Sequence, residues 1–408
     1  GYNADNASIE NCNTISGDIS AIGRDTGSIV GGIVGYNIGN VEKCSNYANI
    51  KGEYKLIGGI CGYNTSGGNI MNSNNYGYVE GSHQIGGIVG DSDSPEKNII
   101  AKVTNCNNYG NVKEIKKHED IYPSASVGGI VGCNYTYSII ENCINEGIIE
   151  SNYGEQGGIC GSNVYIIKNS ENKGEIINAC ESDNIGGIGG IAGLSSGTIF
   201  ECYNQANITS EIGSFIGGIA GYMVENTNDD SYECVVEQCY NTGNVSGNNI
   251  IGGIVGRLFS GASIQSCYNI GAITGNNYTG GIAGDTVTNS LELKNSYNKG
   301  SIIGNNYVGG IAGSIRSILE NCYNVGMVNT GGGVCGEIDI NYVTADIITN
   351  CYYLDTSSQK GAGNEENIGT ISGILKKGNT EMQGLASQLG DEFKDNLEGD
   401  KYPQLIWE

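Results

Sequence analysis

Apolar and polar residues alternate along this chain only over very short stretches, which glycine or asparagine repeatedly interrupts. The shortest recurring piece is Gly-Gly-(Ile/Val)-(Val/Ala/Cys)-Gly. It occurs eleven times, with first glycines at Gly31, Gly58, Gly86, Gly128, Gly157, Gly189, Gly217, Gly252, Gly280, Gly309 and Gly332. The shorter intervals cluster near 28 residues, so the longer ones read as a base unit carrying insertions. Between these copies runs (Ile/Val)-x-x-(Cys/Ser)-x-Asn-x-(Gly/Ala)-x-(Ile/Val), as in SIQSCYNIGAI, which occurs twelve times. Asn stands two places after the Cys or Ser in ten copies, from Asn46 to Asn324, while the terminal copies carry Thr14 and Tyr353 instead.

Each unit therefore holds about three β-prone pieces, none long enough for a helix, separated by residues that tolerate a positive φ. That pattern, repeated at a fixed period, describes the turns of a β-solenoid. Because parallel crossovers are overwhelmingly right-handed, the prediction is all-β: a right-handed parallel β-helix of about 12 coils. The fourth position of the Gly-Gly motif accepts only Val, Ala or Cys, which marks a small apolar core site. The neighbouring glycines allow close backbone approach at a corner, and the asparagines are predicted to bond locally or to stack into a ladder between coils. Gly1-Tyr2-Asn3 repeats the GYN of Gly35-Tyr36-Asn37, which predicts that residue 1 lies inside a coil with further protein before it. Residues 1–353 form the predicted solenoid. Residues 354–408, where the repeat lapses, read as a small C-terminal α/β cap: a helix over TEMQGLASQLGDEF and a terminal strand in KYPQLIWE, shielding the last coil.

The two motifs together resemble the GLUG repeat, a glycine-rich repeat of bacterial cell-surface proteins, and the resemblance runs from residue 1 to about 353. It implies an exported protein at the bacterial surface. Because the repeat also occurs in the non-catalytic part of some immunoglobulin A metallopeptidases, it implies no reaction of its own.

Composition sharpens this picture. The 68 Gly without matching Pro exclude collagen, and 38% apolar residues with 26 Tyr exclude a disordered chain. No apolar run approaches a membrane span, so no membrane insertion of this segment is expected. A formal charge of −24, with only Arg24, Arg257 and Arg316 as arginines, argues against a nucleic-acid partner. It also argues against a polysaccharide lyase, which neutralises an acidic sugar with cations. Of 15 Cys, twelve occupy repeat sites that also accept Ser, Val or Ala, so they read as stacked core thiols. Only Cys133, Cys180 and Cys234 lie off the pattern, where a disulfide stays open. The two histidines, His83 and His118, provide no H-E-x-x-H, which excludes a zinc peptidase within this segment.

No catalytic residue, cofactor or metal site is assigned. The segments DSDSPEK and ENTNDDSYE hold oxygen donors that could ligate calcium but lack the EF-hand spacing. Insertions fall near 91–98, 113–125, 177–184, 222–233 and 337–344, and KEIKKHEDIYPSAS is the local basic cluster. Tyrosine follows the core Cys/Ser in six consecutive coils, at Tyr203, Tyr240, Tyr268, Tyr297, Tyr323 and Tyr352, a position that alternation turns outward. These six are the candidate partner-binding residues. The competing reading of the same row is ring stacking that steadies the sheet. The function read from the sequence is thus a non-enzymatic, monomeric surface module, an adhesin or spacer contacting glycan or protein. The alternatives are a carbohydrate-active β-helix enzyme, whose carboxylate pair the sequence cannot locate, and the non-catalytic arm of a larger surface peptidase.

Overall fold

The computed structural model describes the chain apart from residues 22–27, 54, 116–124, 180–185, 226–232, 289–290, 342–346 and 370. It is an all-β parallel solenoid of about 11 turns, against the 12 read from the twelve copies of the second motif. Three short helices, Glu365–Ile368, Asn379–Gln383 and Ala386–Leu389, complete it. The chain divides into two compact units, one holding Gly1–Gly213 and the other Ser214–Glu225 with Glu233–Glu408.

In the first unit each strand pairs in parallel with its equivalent one turn on, so like residues stack on like. The small core column runs Cys61, Val89, Val131, Cys160, Ala192. A second column runs Val41, Ile70, Val103, Ile140, Ile167, Ile199, and a third Ile50, Val79, Val112, Ile149, Ile176, Ile208. All of these side chains are buried. Tyr2 and Asn3 sit in register with Tyr36 and Asn37, as the GYN repeat predicts.

The second unit repeats the arrangement, with Val255, Ala283, Ala312 and Cys335 in one column and Val236, Ile264, Leu293, Leu319 and Ile348 in another. Where the sequence repeat lapses, the ladders continue for part of a turn. Lys360–Ala362 pairs in parallel with Gly332–Ile338, and Ile374–Lys377 with Ile348–Leu354.

The predicted asparagine ladder is present in both units. In the first, the Thr14 hydroxyl donates to Asn46 Oδ1 at 2.6 Å. Asn46, Asn75, Asn108, Asn145 and Asn172 then each donate Nδ2–H to the Oδ1 of the next asparagine, ending at Asn204, over 2.8–2.9 Å. In the second, Asn241, Asn269 and Asn298 do the same toward Asn324 at 2.8 Å. The other amide hydrogen of each ladder asparagine goes to the carbonyl two residues on, as from Asn108 to Gly110 at 2.8 Å. Two hydrogens and two acceptors per turn are thereby satisfied inside a dry core, where an unpaired polar group would cost about 1–3 kcal/mol.

This ladder explains the second glycine of each Gly-Gly pair. A Cβ on Gly87 would lie 2.3 Å from Asn108 Cγ and 2.1 Å from the Gly129 carbonyl oxygen, and one on Gly253 would lie 2.5 Å from Asn269 Cγ. In the last turn, where Tyr353 replaces the asparagine, its ring takes the same space, 2.2 Å from a Cβ on Gly333.

The alternation of Cys and Ser has an equally local cause. Asn72, Asn105, Asn142, Asn169, Asn295, Asn321 and Asn350 immediately precede that site and adopt φ near +50°, where asparagine is better tolerated than most residues. The corner exposes a carbonyl that the next side chain caps. Cys143 Sγ reaches the Glu141 carbonyl at 3.3 Å, and Ser170 Oγ reaches that of Lys168 at 2.9 Å. All fourteen described cysteines, including Cys133 and Cys234, are free thiols, and all but Cys12 are buried. Cys180 lies outside the described residues.

Candidate functional site

The tyrosine row assembles only in part as expected. Tyr240, Tyr268, Tyr297 and Tyr323 form one continuous stack, with ring centroids 4.9–5.0 Å apart and planes within 10° of parallel. Tyr352 follows Tyr323 in register. Tyr203 belongs to the first unit, where it is half-buried and sits in register with Glu171.

The row is not an open face. Tyr297, Tyr323 and Tyr352 are 1%, 0% and 4% exposed, because the tail beyond Lys377 lies along the side of the solenoid and covers them. This corrects the predicted placement of that part of the cap over the end of the last coil. The predicted helix is two short ones, followed by an antiparallel pair of Phe393–Lys394 with Gln404–Leu405.

Met382, Leu385, Leu389, Phe393 and Leu405 supply the apolar cover. Trp407 stacks on Tyr268 at 5.7 Å and on Tyr240 at 6.4 Å, and its indole N–H donates to the Ser266 carbonyl at 3.0 Å. The Tyr297 hydroxyl donates to the Glu408 carboxylate at 2.9 Å, and that of Tyr323 donates to the Pro403 carbonyl. Burial, with the neighbouring Tyr323 and Glu408, pushes the Tyr297 hydroxyl far above the usual tyrosine range. Burial likewise raises the Glu408 carboxyl. Alternation predicted correctly that these rings leave the core, but it carries no information about a segment some 80–110 residues away that covers them.

A second concentration of chemistry, which the sequence did not disclose, lies elsewhere in the second unit. Arg257 and Arg316, far apart in sequence, are brought together by the stacking of turns. Arg257 donates through Nε and Nη2 to Asp285 Oδ2 at 3.0 and 2.8 Å. Arg316 meets Asp285 Oδ1 at 3.4 Å and Asp339 Oδ2 at 3.0 Å. The Asp285 side chain is only 2% exposed, so both its charge partners are needed to hold it. Burial would raise Asp339, but the Arg316 hydrogen bond holds its carboxyl below the usual range, whereas burial and the Asp339 charge push Glu337 up.

The Arg257 guanidinium is flanked by the rings of Phe215 and Phe259, at 5.3 and 5.4 Å. Phe215 begins a column continued by Ile250, Tyr278 and Tyr307, because Ser214, Asn249, Asn277 and Asn306 pair in register. All four column residues sit at φ +50° to +60°, unusual for aromatics and strained for a β-branched residue.

Other predicted features find plainer roles. Within DSDSPEK, Asp93 accepts hydrogen bonds from Tyr63 at 3.0 Å and from Thr65. Asp91 is buried in the strand, in register with Cys133. Most of ENTNDDSYE, and much of the basic KEIKKHEDIYPSAS segment with His118, fall outside the described residues. Among the described residues no group of three His, Cys, Asp or Glu side chains is gathered as a metal site would require. No described helix is long and apolar enough to cross a membrane.

The fold thus defines a parallel β-solenoid of side-chain ladders. Residues 124–150 match the family model of the GLUG motif, and the described part of that window is one turn, with Gly128-Gly129 and Cys143-x-Asn145-x-Gly147. The chain is a solenoid that carries the GLUG motif, and the same pattern recurs along it. A solved structure from Bacteroides ovatus, named provisionally as an immunoglobulin A1 protease, is similar at 21% identity. The likeness covers 76% of this chain and 89% of that one, with a TM-score of 0.42. No curated protein matches the chain.

Proposed function

We propose that the chain is a non-enzymatic module of a surface-exposed, exported protein, a solenoid scaffold that presents a binding face to glycan or protein partners. The observation that supports this is the division of labour among side chains. The repeated Asn, Cys/Ser and glycine positions of the two motifs are consumed in holding turns together, whereas Arg257, Arg316 and the exposed Tyr307 of the second unit lie outside the buried ladders and reach solvent. The reading is the same whether the module stands alone as an adhesin or forms the arm of a larger surface peptidase.

Screening the chain against immobilised glycans and extracellular matrix proteins tests it. Saturable binding at micromolar concentration is the expected result, and no binding to either class reduces the chain to a spacer. A carbohydrate-active reading has one observation in its favour, the raised carboxyl of Glu337 beside Asp339. Sugar release that disappears in Glu337→Gln would establish it instead.

A further inference from the structure

Three successive turns of the second unit carry the same tetrapeptide pattern, at Gly247-Asn248-Asn249-Ile250, Gly275-Asn276-Asn277-Tyr278 and Gly304-Asn305-Asn306-Tyr307. Its asparagines form two parallel amide rows outside the core. In one, Asn276 and Asn305 donate to the preceding turn's amide at 3.3 and 2.7 Å. In the other, Asn277 and Asn306 do so at 2.6 and 2.8 Å.

These rows run in the opposite sense to the buried ladder, donating toward the preceding turn, and they differ from it in the fate of the second hydrogen. There, the second hydrogen of each amide is bound to a backbone carbonyl two residues on. Here, Asn277 and Asn306 have no acceptor for it among the described residues, and Asn306 is exposed. Beside the amides the left-handed backbone turns Tyr278 and Tyr307 outward next to their asparagines. Their rings stack 4.6 Å apart at 12°, and Tyr307 is 41% exposed. The φ values of +50° and +53° are costly for tyrosine, and strain of this kind persists only where the surrounding structure imposes it, a situation that clusters at binding and active sites.

We propose that this amide and tyrosine ridge is a binding site for a linear neutral oligosaccharide. Sugar rings present an apolar face that packs on tyrosine and an edge of hydroxyls that accept from amide hydrogens. The charges select neutrality: Asp285 and Asp339 match both guanidinium groups, and the chain as a whole, at −24, repels polyanions. The inference rests on the binding-module reading and narrows it to one ligand class and one face.

Titration calorimetry with cellohexaose, xylohexaose and mannohexaose, and with hexagalacturonate as the acidic counterpart, tests it. At least one neutral hexasaccharide is expected to bind, its trisaccharide more weakly, and hexagalacturonate not measurably. Tyr307→Ala and Asn277→Ala, with unchanged thermal unfolding, are each expected to weaken binding about tenfold, the equivalent of about 1.4 kcal/mol. Tyr307→Phe should retain it, and Tyr76→Ala in the first unit should leave it unchanged.

Neutral-sugar binding that survives both Tyr307→Ala and Asn277→Ala overturns the site while sparing the module reading. The site is overturned in the same way if hexagalacturonate binds best, or if only proteins bind. Failure of every glycan and every protein overturns both.

Discussion

The two units each contain an outer row of stacked tyrosines, and the rows have opposite fates. In the first unit Tyr47, Tyr76 and Tyr109 stack at 4.7 and 4.9 Å, within 10° of parallel, and remain 50%, 42% and 40% exposed. In the second, Tyr240 to Tyr323 stack at almost the same spacing, but the C-terminal half of the row is sealed beneath the tail.

The rows lie on either side of the buried asparagine, the first one residue after it and the second one residue before it. Ring stacking is therefore a general property of in-register aromatics on parallel strands. What distinguishes the second row is that another segment uses it as a docking surface. A stacked aromatic row is in this sense a prepared surface, and the first unit shows the same preparation left open.

The largest expected effect is one that should erase the difference. Asn108→Ala and Asn269→Ala each remove the ladder amide and strand three partners, the amide of one neighbouring turn, that of the other and a backbone carbonyl, at about 1–3 kcal/mol for each stranded group and hence about 3–9 kcal/mol in all. Denaturant unfolding should show equal losses from the two substitutions. Unequal losses would show that the shared ladder contributes differently in the two units.

The next substitution should widen the difference. Trp407→Ala removes the anchor over Tyr268 and is expected to cost about 2–4 kcal/mol, in the range of large aromatic truncations. Hydrogen exchange should quicken in the tail and around Tyr268 and Tyr297, while amides around Tyr76 stay protected. Uniform loss of protection would mean that the tail stabilises far more than its own contacts.

The smallest effect is on the open row. Tyr76→Ala should cost no more than about 1 kcal/mol, the worth of an exposed cross-strand pair. A loss as large as that of Trp407→Ala would show that the first row, too, bears a structural load.

Sequence alone disclosed the solenoid because its determinants are periodic: the Val/Ala/Cys column, the glycine corners and the ladder asparagines each recur at a readable interval. Thr14 and Tyr353, which stand where the other copies carry asparagine, are accommodated by the same ladder: the Thr14 hydroxyl donates to Asn46, and the Tyr353 ring takes the space of an amide against Gly333. The features that escaped depend on distance or on broken alternation. Arg257 and Arg316 look scattered along the chain, yet stacking brings both onto the Asp285 carboxylate. The left-handed residues at Tyr278 and Tyr307 make two neighbouring side chains face outward, which a strict two-residue period cannot express. The tail's docking depends on one-off contacts such as Trp407 on Tyr268, which no repeat announces.

The asparagine ladder has a further consequence for how the molecule is made. Every amide passes its hydrogen in the same direction, from the Thr14 hydroxyl through Asn46 and onward, so the row works like a one-way zipper. A finished turn offers the following one a half-completed bond of fixed sense, and aligned amides polarise one another as the row lengthens. Folding should then resemble the growth of a filament, with a slow first pairing of turns and rapid winding afterward. A duplicated 28-residue unit inserted in register could join that growth without any change to its neighbours.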